Sequence, residues 1–562
     1  MTIVDLIIEE SGTERGRILG AACAAGVTSM LVLIAANVLA GSSDQAGLPA
    51  GGLFALVIVG HYFCAKHMYF RTAAVVESAL HRIKIKIVGK LEKADIQGIE
   101  RIGTAEIYDG ITDNLSVVSN YASLIAAFLQ SVFILAFTVL YIAWLSLPTF
   151  IAVASLLAIG YGVYRKRAKG LERHLKRLGD VRLAFFDQLT DLLKGFKEVK
   201  LSRRRGRDLK TDIARSSEAL RGSNMKAGAM NSDNFIFATG NLYALLGVIV
   251  LVVPQYADVD SSTLVDIVTG ILFLWGPMTM LVAGAPAYIR SNVALDRART
   301  LEEKLDKAIQ ETQIALDVED PWKDGFGAIA ARGIEFEYAS EDGDSTFRIG
   351  PLDVDIAQGE IVFIVGGNGS GKSTALKVLT GLYPPTSGEL LVGGIRIGSD
   401  NVAAYREKIS AIYTDFHLFA KLYGLLDADP AAVHRLLAQM DLQQKTSFEN
   451  KGFTSRKLST GQRKRLAMIV VLLEDRPIYV FDEWAADQDP EFRAYFYEEL
   501  LPGLKQRGKT VIAVTHDDRF FHHADQVIAM EYGRIRSALR PGLNAPIALA
   551  SPGQGEPGAR EG

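Results

Sequence analysis

Gly366-Gly367-Asn368-Gly369-Ser370-Gly371-Lys372-Ser373 packs four glycines, a lysine and hydroxyls into eight residues. The buried-strand pattern Ile361–Val365 leads into it, and a helix-forming run opens at Thr374. This is G-x-x-x-x-G-K-S in its strand–loop–helix setting. Glycines let backbone amides converge on phosphate oxygens without side-chain clash, and the helix N-terminus adds positive partial charge. Lys372 is then placed to reach the β- and γ-phosphates of ATP, and Ser373 to ligate Mg²⁺. A second element, Pro477-Ile478-Tyr479-Val480-Phe481-Asp482-Glu483, is an apolar strand that ends in two carboxylates. Asp482 suits a magnesium ligand acting through water, and Glu483 a base that polarises an attacking water. A glycine-rich turn need not bind nucleotide, and an acidic pair ending a strand is weak evidence by itself. Their separation of about 110 residues makes them parts of one site.

Four further features fall around these two. Leu458-Ser459-Thr460-Gly461-Gln462 precedes a basic helix, where a lone serine would be an ordinary N-cap. His516 follows the strand-like run Val511–Val514, Tyr338 precedes the glycine loop, and Asp489 follows the acidic pair. In this order and spacing the chain resembles the ATP-binding-cassette superfamily, and it resembles it over nearly its whole length, as an exporter half-transporter. The resemblance implies that Tyr338 stacks on adenine and that His516 contacts the γ-phosphate and organises the attacking water. It implies that Ser459, Thr460, Gly461 and Gln462 address the nucleotide held by a second subunit, and that Asp489 ends the loop crossing to that subunit. Thr460 stands where the family's L-S-G-G-Q signature has its first glycine.

Three stretches narrow the resemblance to bacterial exporters of cyclic peptides and siderophores, the group related to pyoverdine and syringomycin production. They are Val365–Thr374, Thr414-Asp415-Phe416-His417-Leu418-Phe419, and Phe481-Asp482-Glu483-Trp484-Ala485-Ala486-Asp487-Gln488-Asp489-Pro490. Thr515–Phe521 fits the same group. In the wider superfamily the second stretch begins with a glutamine that offers a carbonyl to Mg²⁺. Here Thr414 fills that slot with a shorter hydroxyl, so Asp415 is expected to assist.

Elements of two kinds must position these residues. The chain has 562 residues, 49% of them hydrophobic, and a mean hydropathy of +0.16. That is enough for two or three domains and directs attention to membrane spans. Apolar runs long enough to cross a bilayer lie near Arg17–Ala40, Ala50–Phe70, Tyr121–Leu145, Thr149–Tyr164, Phe235–Pro254 and Thr263–Ile289. The connections Gly41–Pro49 and Gln255–Ser262 contain no Lys or Arg, whereas Arg71–Asn120 and Arg165–Ser232 are rich in both. The positive-inside rule therefore puts both long segments and both termini in the cytoplasm. Their helical periodicity and scarcity of proline predict that the spans continue as helices into the cytoplasm. A charged helix is expected from Leu295 to about Ala315. Strands alternating with helices beyond Trp322 predict a mostly parallel sheet covered on both faces. The expected fold is a membrane all-α domain of six transmembrane helices with long cytoplasmic extensions (1–315), then an α/β P-loop nucleotide-binding domain (316–540) and a Gly/Pro/Ala-rich disordered tail (541–562).

The net charge of −3 gives no reason to expect nucleic-acid binding. Cys23 and Cys64 lie in apolar runs and read as small buried hydrophobes. Ile3–Ile8 allows a short interfacial helix or a frayed tail. The resemblance implies two coupling helices, assigned near 105–112 and 193–201, with Phe196 as anchor. It also implies a partner, here a second copy of the chain, and alternating access in a bacterial inner membrane. His61 and Asp266 are the polar candidates for cargo contact, while Trp275, Met278, Met280 and Tyr288 read as helix packing. Peptide or siderophore export is the leading expectation. Siderophore import by the same architecture and an ATP-gated membrane scaffold are the alternatives.

Overall fold

The computed structural model describes residues 15–41, 48–256, 260–315, 318–323, 325–338 and 347–540. The N-terminal segment around Ile3–Ile8 and the expected tail at 541–562 lie outside the described residues. The chain divides into two compact units. One comprises Met1–Glu92 and Ile102–Asp306, and the other Lys93–Arg101 and Lys307–Gly562.

The first unit is all helix. Among the described residues, six helices are long and apolar enough to cross a membrane. They overlap the six expected runs, but most continue far beyond them. Leu48–Lys93 has 46 residues, Leu147–Lys194 has 48 and Arg203–Leu251 has 49. At 1.5 Å per residue each is about 70 Å long, against a hydrocarbon core of about 30 Å. Ser146 ends one helix and caps the next, its side chain accepting from the Thr149 amide. That is the tight hairpin expected at Ser146–Pro148. The charged helix expected from Leu295 is the continuation of Trp275–Thr312, because nothing after Pro286 interrupts the helix. The break falls earlier, at Leu274, between Ser261–Phe273 and Trp275–Thr312. Lys90 ties the extensions together by pairing with Glu302 and Asp306, both at 2.6 Å. Short helices occupy Thr104–Ile111 and Phe196–Leu201, overlapping the stretches assigned to coupling helices.

The second unit holds two main sheets. Strands β1 (Ala328–Glu337), β2 (Arg348–Ala357), β4 (Ser387–Val392) and β5 (Ile395–Arg396) form an antiparallel sheet in the order β2-β1-β4-β5. The sequence patterning did not separate this sheet from the parallel one. The larger sheet takes β3 (Ile361–Gly366), β6 (Ile409–Ile412), β9 (Ile478–Asp482), β10 (Thr510–Val514), β11 (Gln526–Glu531) and β12 (Arg534–Leu539). Its order is β12-β11-β3-β10-β9-β6, parallel throughout except for β12. A small hairpin, β7 (Phe448–Glu449) and β8 (Gly452–Phe453), stands apart.

The central strands are buried on both faces, so they read as continuous apolar runs. Successive side chains nonetheless serve different cores, because they alternate across the sheet. Val362, Ile364, Val480, Ile512 and Val514 pack with the helix Lys372–Leu379 and the antiparallel sheet. Ile361, Phe363, Tyr479, Phe481, Val511 and Ala513 pack with the helix Thr460–Glu474 on the opposite face.

Candidate functional site

Three neighbouring strands, β3, β10 and β9, deliver the chemistry to one edge of the sheet. Val514 is in register with Ile364 on one side and with Asp482 on the other. The glycine loop, the acidic pair and His516 therefore leave the sheet together at its carboxyl edge, where ligands bind in open α/β sheets.

The loop's backbone demands its glycines. Gly366 has φ +148°, and a Cβ there would lie 2.3 Å from the Met530 carbonyl oxygen. Gly371 has φ +94° and caps the helix Lys372–Leu379. Lys372 is buried, and its Nζ donates to the carbonyls of Gly366 and Gly367, each at 3.0 Å. It spans its own loop. Ser370 Oγ is buried with no hydrogen-bond partner among the described residues. Gly367, Asn368 and Gly369 are exposed above it, and Thr374 is buried in the first helical turn.

Asp482 is 2% exposed and accepts two hydroxyl bonds. Ser373 Oγ donates to Oδ1 at 3.2 Å, and Thr414 Oγ1 donates to Oδ2 at 3.0 Å. These three groups make a hard-oxygen donor set of the kind Mg²⁺ prefers. Bound there beside nucleotide, the ion would neutralise phosphate charge. Asp415 is exposed and makes no hydrogen bond among the described residues. The structure thus brings Thr414, without help from Asp415, to the carboxylate.

Glu483 has φ +51°, a left-handed conformation unusual for a residue with a side chain. Its Oε1 lies 3.1 Å from His516 Nε2 and 4.0 Å from Lys372 Nζ. The His516 loop is held from behind by Tyr497, whose hydroxyl bonds Thr515 Oγ1 and Asp517 Oδ2. Burial pushes the Tyr497 phenol above its ordinary value, so it stays a neutral donor. Tyr497 sits in a π-helical turn, Tyr495–Leu500, a distortion found often at functional sites.

Tyr338 follows β1. Its ring meets Phe336 and Tyr383 edge-on, and its hydroxyl is 3.4 Å from Thr374 Oγ1. It stands at the foot of the phosphate-loop helix. Tyr383 in turn donates to Glu100 at 2.7 Å, so the Lys93–Arg101 segment packs within the cassette unit. The sequence reading missed that segment because Ile96–Ile102 shows no local motif.

Ser459 caps the helix Thr460–Glu474 through a capping box. Its oxygen accepts from the Gln462 amide, and Gln462 Oε1 accepts from the Ser459 amide. Ser459 and Thr460 are exposed, and no hydrogen bond joins them to the glycine loop among the described residues. Gly461 is pressed against the loop after the acidic pair, where a Cβ would lie 2.5 Å from the Asp487 carbonyl oxygen. Asp489 caps the helix Pro490–Ala494 through the Phe492 amide and pairs with Arg465. The Phe492 hydrogen bond first, and the Arg465 guanidinium with it, hold its carboxyl below the usual range. Sequence reasoning did not single out Lys464, Arg465 or Gln488, which bind this loop to the helix.

Cys23 and Cys64 are free thiols. His61 Nδ1 lies 3.1 Å from Thr28 Oγ1 and 3.2 Å from Ser29 Oγ. His61 is thereby engaged with the first span. Neither it nor Asp266 lines the apolar cavity formed around Tyr161, Tyr164 and Tyr288 in the helical unit. That cavity, of about 610 Å³, is lined in part by Met278 and Tyr288, which also pack against the apolar clusters of the helices, as expected.

A nucleotide-hydrolysing cassette joined to six membrane-crossing helices defines the class: an ATPase coupled to transport. The ABC transporter family profile matches residues 349–486. The chain is 32% identical over 477 residues to the ATP-binding protein SyrD of Pseudomonas syringae pv. syringae, covering 82% of each chain. It is 25% identical over 482 residues to the ATP-dependent lipid A-core flippase of Paraburkholderia xenovorans strain LB400, covering 82% of this chain and 78% of that one. Its fold is similar to that of a bacterial Atm1-family ABC exporter with ATP bound, with a TM-score of 0.73, 18% identity, and 94% and 96% of the two chains covered. The chain belongs to the ABC transporter family. It is a multi-pass half-transporter with the exporter fold.

Proposed function

We propose that this chain exports a cyclic peptide, siderophore or related amphipathic natural product. It does so as a homodimer in the bacterial inner membrane, with both termini and the cassette in the cytoplasm. The observation that carries the reading is the likeness to SyrD across spans and cassette together. ATP with Mg²⁺ occupies Lys372, Ser373, Asp482 and the surrounding loop of one protomer, and Ser459–Gln462 of the other completes the site. Glu483 acts as base and His516 orients the water. Alternating access follows if ATP binds the closed state more tightly than the open one. The exposed apolar residues Phe196 and Leu201 support a coupling role for the second short helix.

The cavity supports an amphipathic cargo. One face of Leu147–Lys194 contributes Leu157, Tyr161 and Tyr164, then Arg165 and Lys169. Neither cation forms an ion pair among the described residues, and with Glu172 following them in the lining the slot grades from aromatic to net basic along the helix. Such a gradient suits a molecule with an apolar body and an acidic end. Lipid flipping is the second reading, favoured by the likeness to lipid A-core flippases. The test is ATP-driven uptake into inside-out vesicles of an acidic lipopeptide and, separately, of a fluorescent phospholipid. Lipopeptide uptake that falls at least tenfold in Arg165→Glu/Lys169→Glu supports the peptide reading. Uptake of phospholipid alone replaces it with flipping, and uptake of neither compound rejects the amphipathic cargo class.

A further inference from the structure

Glu483 carries the reacting carboxylate on a backbone that side-chain-bearing residues rarely adopt, with φ +51° and ψ +38°. Such conformations persist only where the surroundings over-determine them. The Glu483 amide donates to the Val514 carbonyl and its own carbonyl accepts from the Ala486 amide, and one side chain from outside the turn adds to these. Lys464 lies in the helix Thr460–Glu474, directly behind Ser459–Gln462, and is 2% exposed. Its Nζ donates to the Glu483 carbonyl at 2.6 Å and pairs with Asp487 Oδ2 at 2.7 Å. Trp484, the next residue after Glu483, returns the contact. Its indole Nε1 donates to the Lys464 carbonyl at 2.9 Å. Trp484 is 1% exposed and stacks on Phe496 with ring centroids 4.7 Å apart.

We propose that Lys464, locked by Trp484, is a positioning residue that sets the orientation of the Glu483 carboxylate and makes it follow the helix that begins at Ser459. A buried ammonium must be paired, and here both its partners lie in the Glu483–Asp487 turn. Displacing the helix therefore displaces the turn. Neighbouring contacts stiffen the joint: Arg465 Nε donates to Gln488 Oε1 at 2.9 Å, and Gln488 Nε2 donates to the Gly461 carbonyl at 3.2 Å. The first turn of the helix and the turn after β9 move as one body. The donor is the indole N–H, which a side chain without a donor could not replace, so the tryptophan makes the clamp reciprocal. Under the homodimer reading, occupancy of one nucleotide site reaches the base of the other through this joint. The positioning itself holds for a single cassette.

The test uses the full-length chain in nanodiscs. Lys464→Met keeps most of the side-chain volume and removes the charge and the donor. It should lower kcat for ATP by about 10–100-fold with KM changed less than threefold, and Lys464→Arg should recover part of the loss. Trp484→Phe keeps the stacking ring but removes the donor, and should lower kcat in the same sense. The discriminating arm is Glu483→Gln. If Lys464 acts through Glu483, Lys464→Met added to Glu483→Gln costs less than threefold more, because the two belong to one unit. Full multiplication of the two losses overturns the proposal and leaves Lys464 a structural residue. Unchanged kcat in Lys464→Met, or a raised KM at constant kcat, also overturns it. Should Lys464→Met fail to fold, Trp484→Phe in both backgrounds decides by the same criteria.

Discussion

Thr414→Val removes one hydroxyl and keeps the branched shape of the side chain. In the structure Asp482 has one side-chain donor on each carboxylate oxygen, Ser373 on Oδ1 and Thr414 on Oδ2. The residue is 2% exposed, so a lost donor is not replaced by bulk water. A hydrogen bond to a charged group is worth about 1.5–3 kcal/mol. Partners that orient a metal ligand typically change metal affinity by about 10–100-fold, or about 1.4–2.8 kcal/mol, which agrees. The Mg²⁺ concentration for half-maximal ATPase in Thr414→Val should therefore rise by about 10–100-fold. Asp415→Ala, which removes an exposed group without a hydrogen bond, should change it less than about threefold, within the scatter of surface substitutions. The assay is a magnesium titration at saturating ATP, repeated with Mn²⁺ to separate geometry from affinity. An unchanged midpoint in Thr414→Val, or a larger effect in Asp415→Ala, refutes the assignment of the hydroxyl and returns the role to the carboxylate.

Two further outcomes are expected. Glu483→Gln should bind nucleotide within about threefold of the parent and turn it over at least about 10²-fold more slowly; nucleotide-analogue fluorescence with phosphate release checks both halves, and near-normal turnover excludes Glu483 as base. Gly461→Ala places a methyl 2.5 Å from the Asp487 carbonyl oxygen. Overpacking of this kind costs about 1–3 kcal/mol, a fall of roughly 2–12 °C in the cassette's melting temperature. Calorimetry of the purified protein reads it, and an unchanged melting point would show that the helix and the turn are not in fixed contact.

The phosphate loop was legible because its chemistry is contiguous: glycines, lysine and serine must adjoin for amides and ammonium to converge on one anion. The six spans were legible for an equally local reason, since a helix in hydrocarbon needs about 20 apolar residues in succession. Where they end was not, because the cytoplasmic extensions are set by packing and ion pairs such as Lys90 with Glu302 and Asp306, 212 and 216 residues away. The antiparallel β1–β2–β4–β5 sheet escaped for a related reason. Its strands alternate with the parallel set in sequence, and only register assigns each strand to a sheet. The residues that fix Glu483 were the least visible. Lys464 looks like a basic residue on an amphipathic helix, and its burial against the Glu483 carbonyl exists only once β9 and that helix have packed. The identity of the candidate hydrolytic groups thus lay in the sequence, because local spacing encodes which atoms are present. Their orientation was decided by the tertiary structure, because a strained backbone and a buried ammonium are stable only when distant segments close around them.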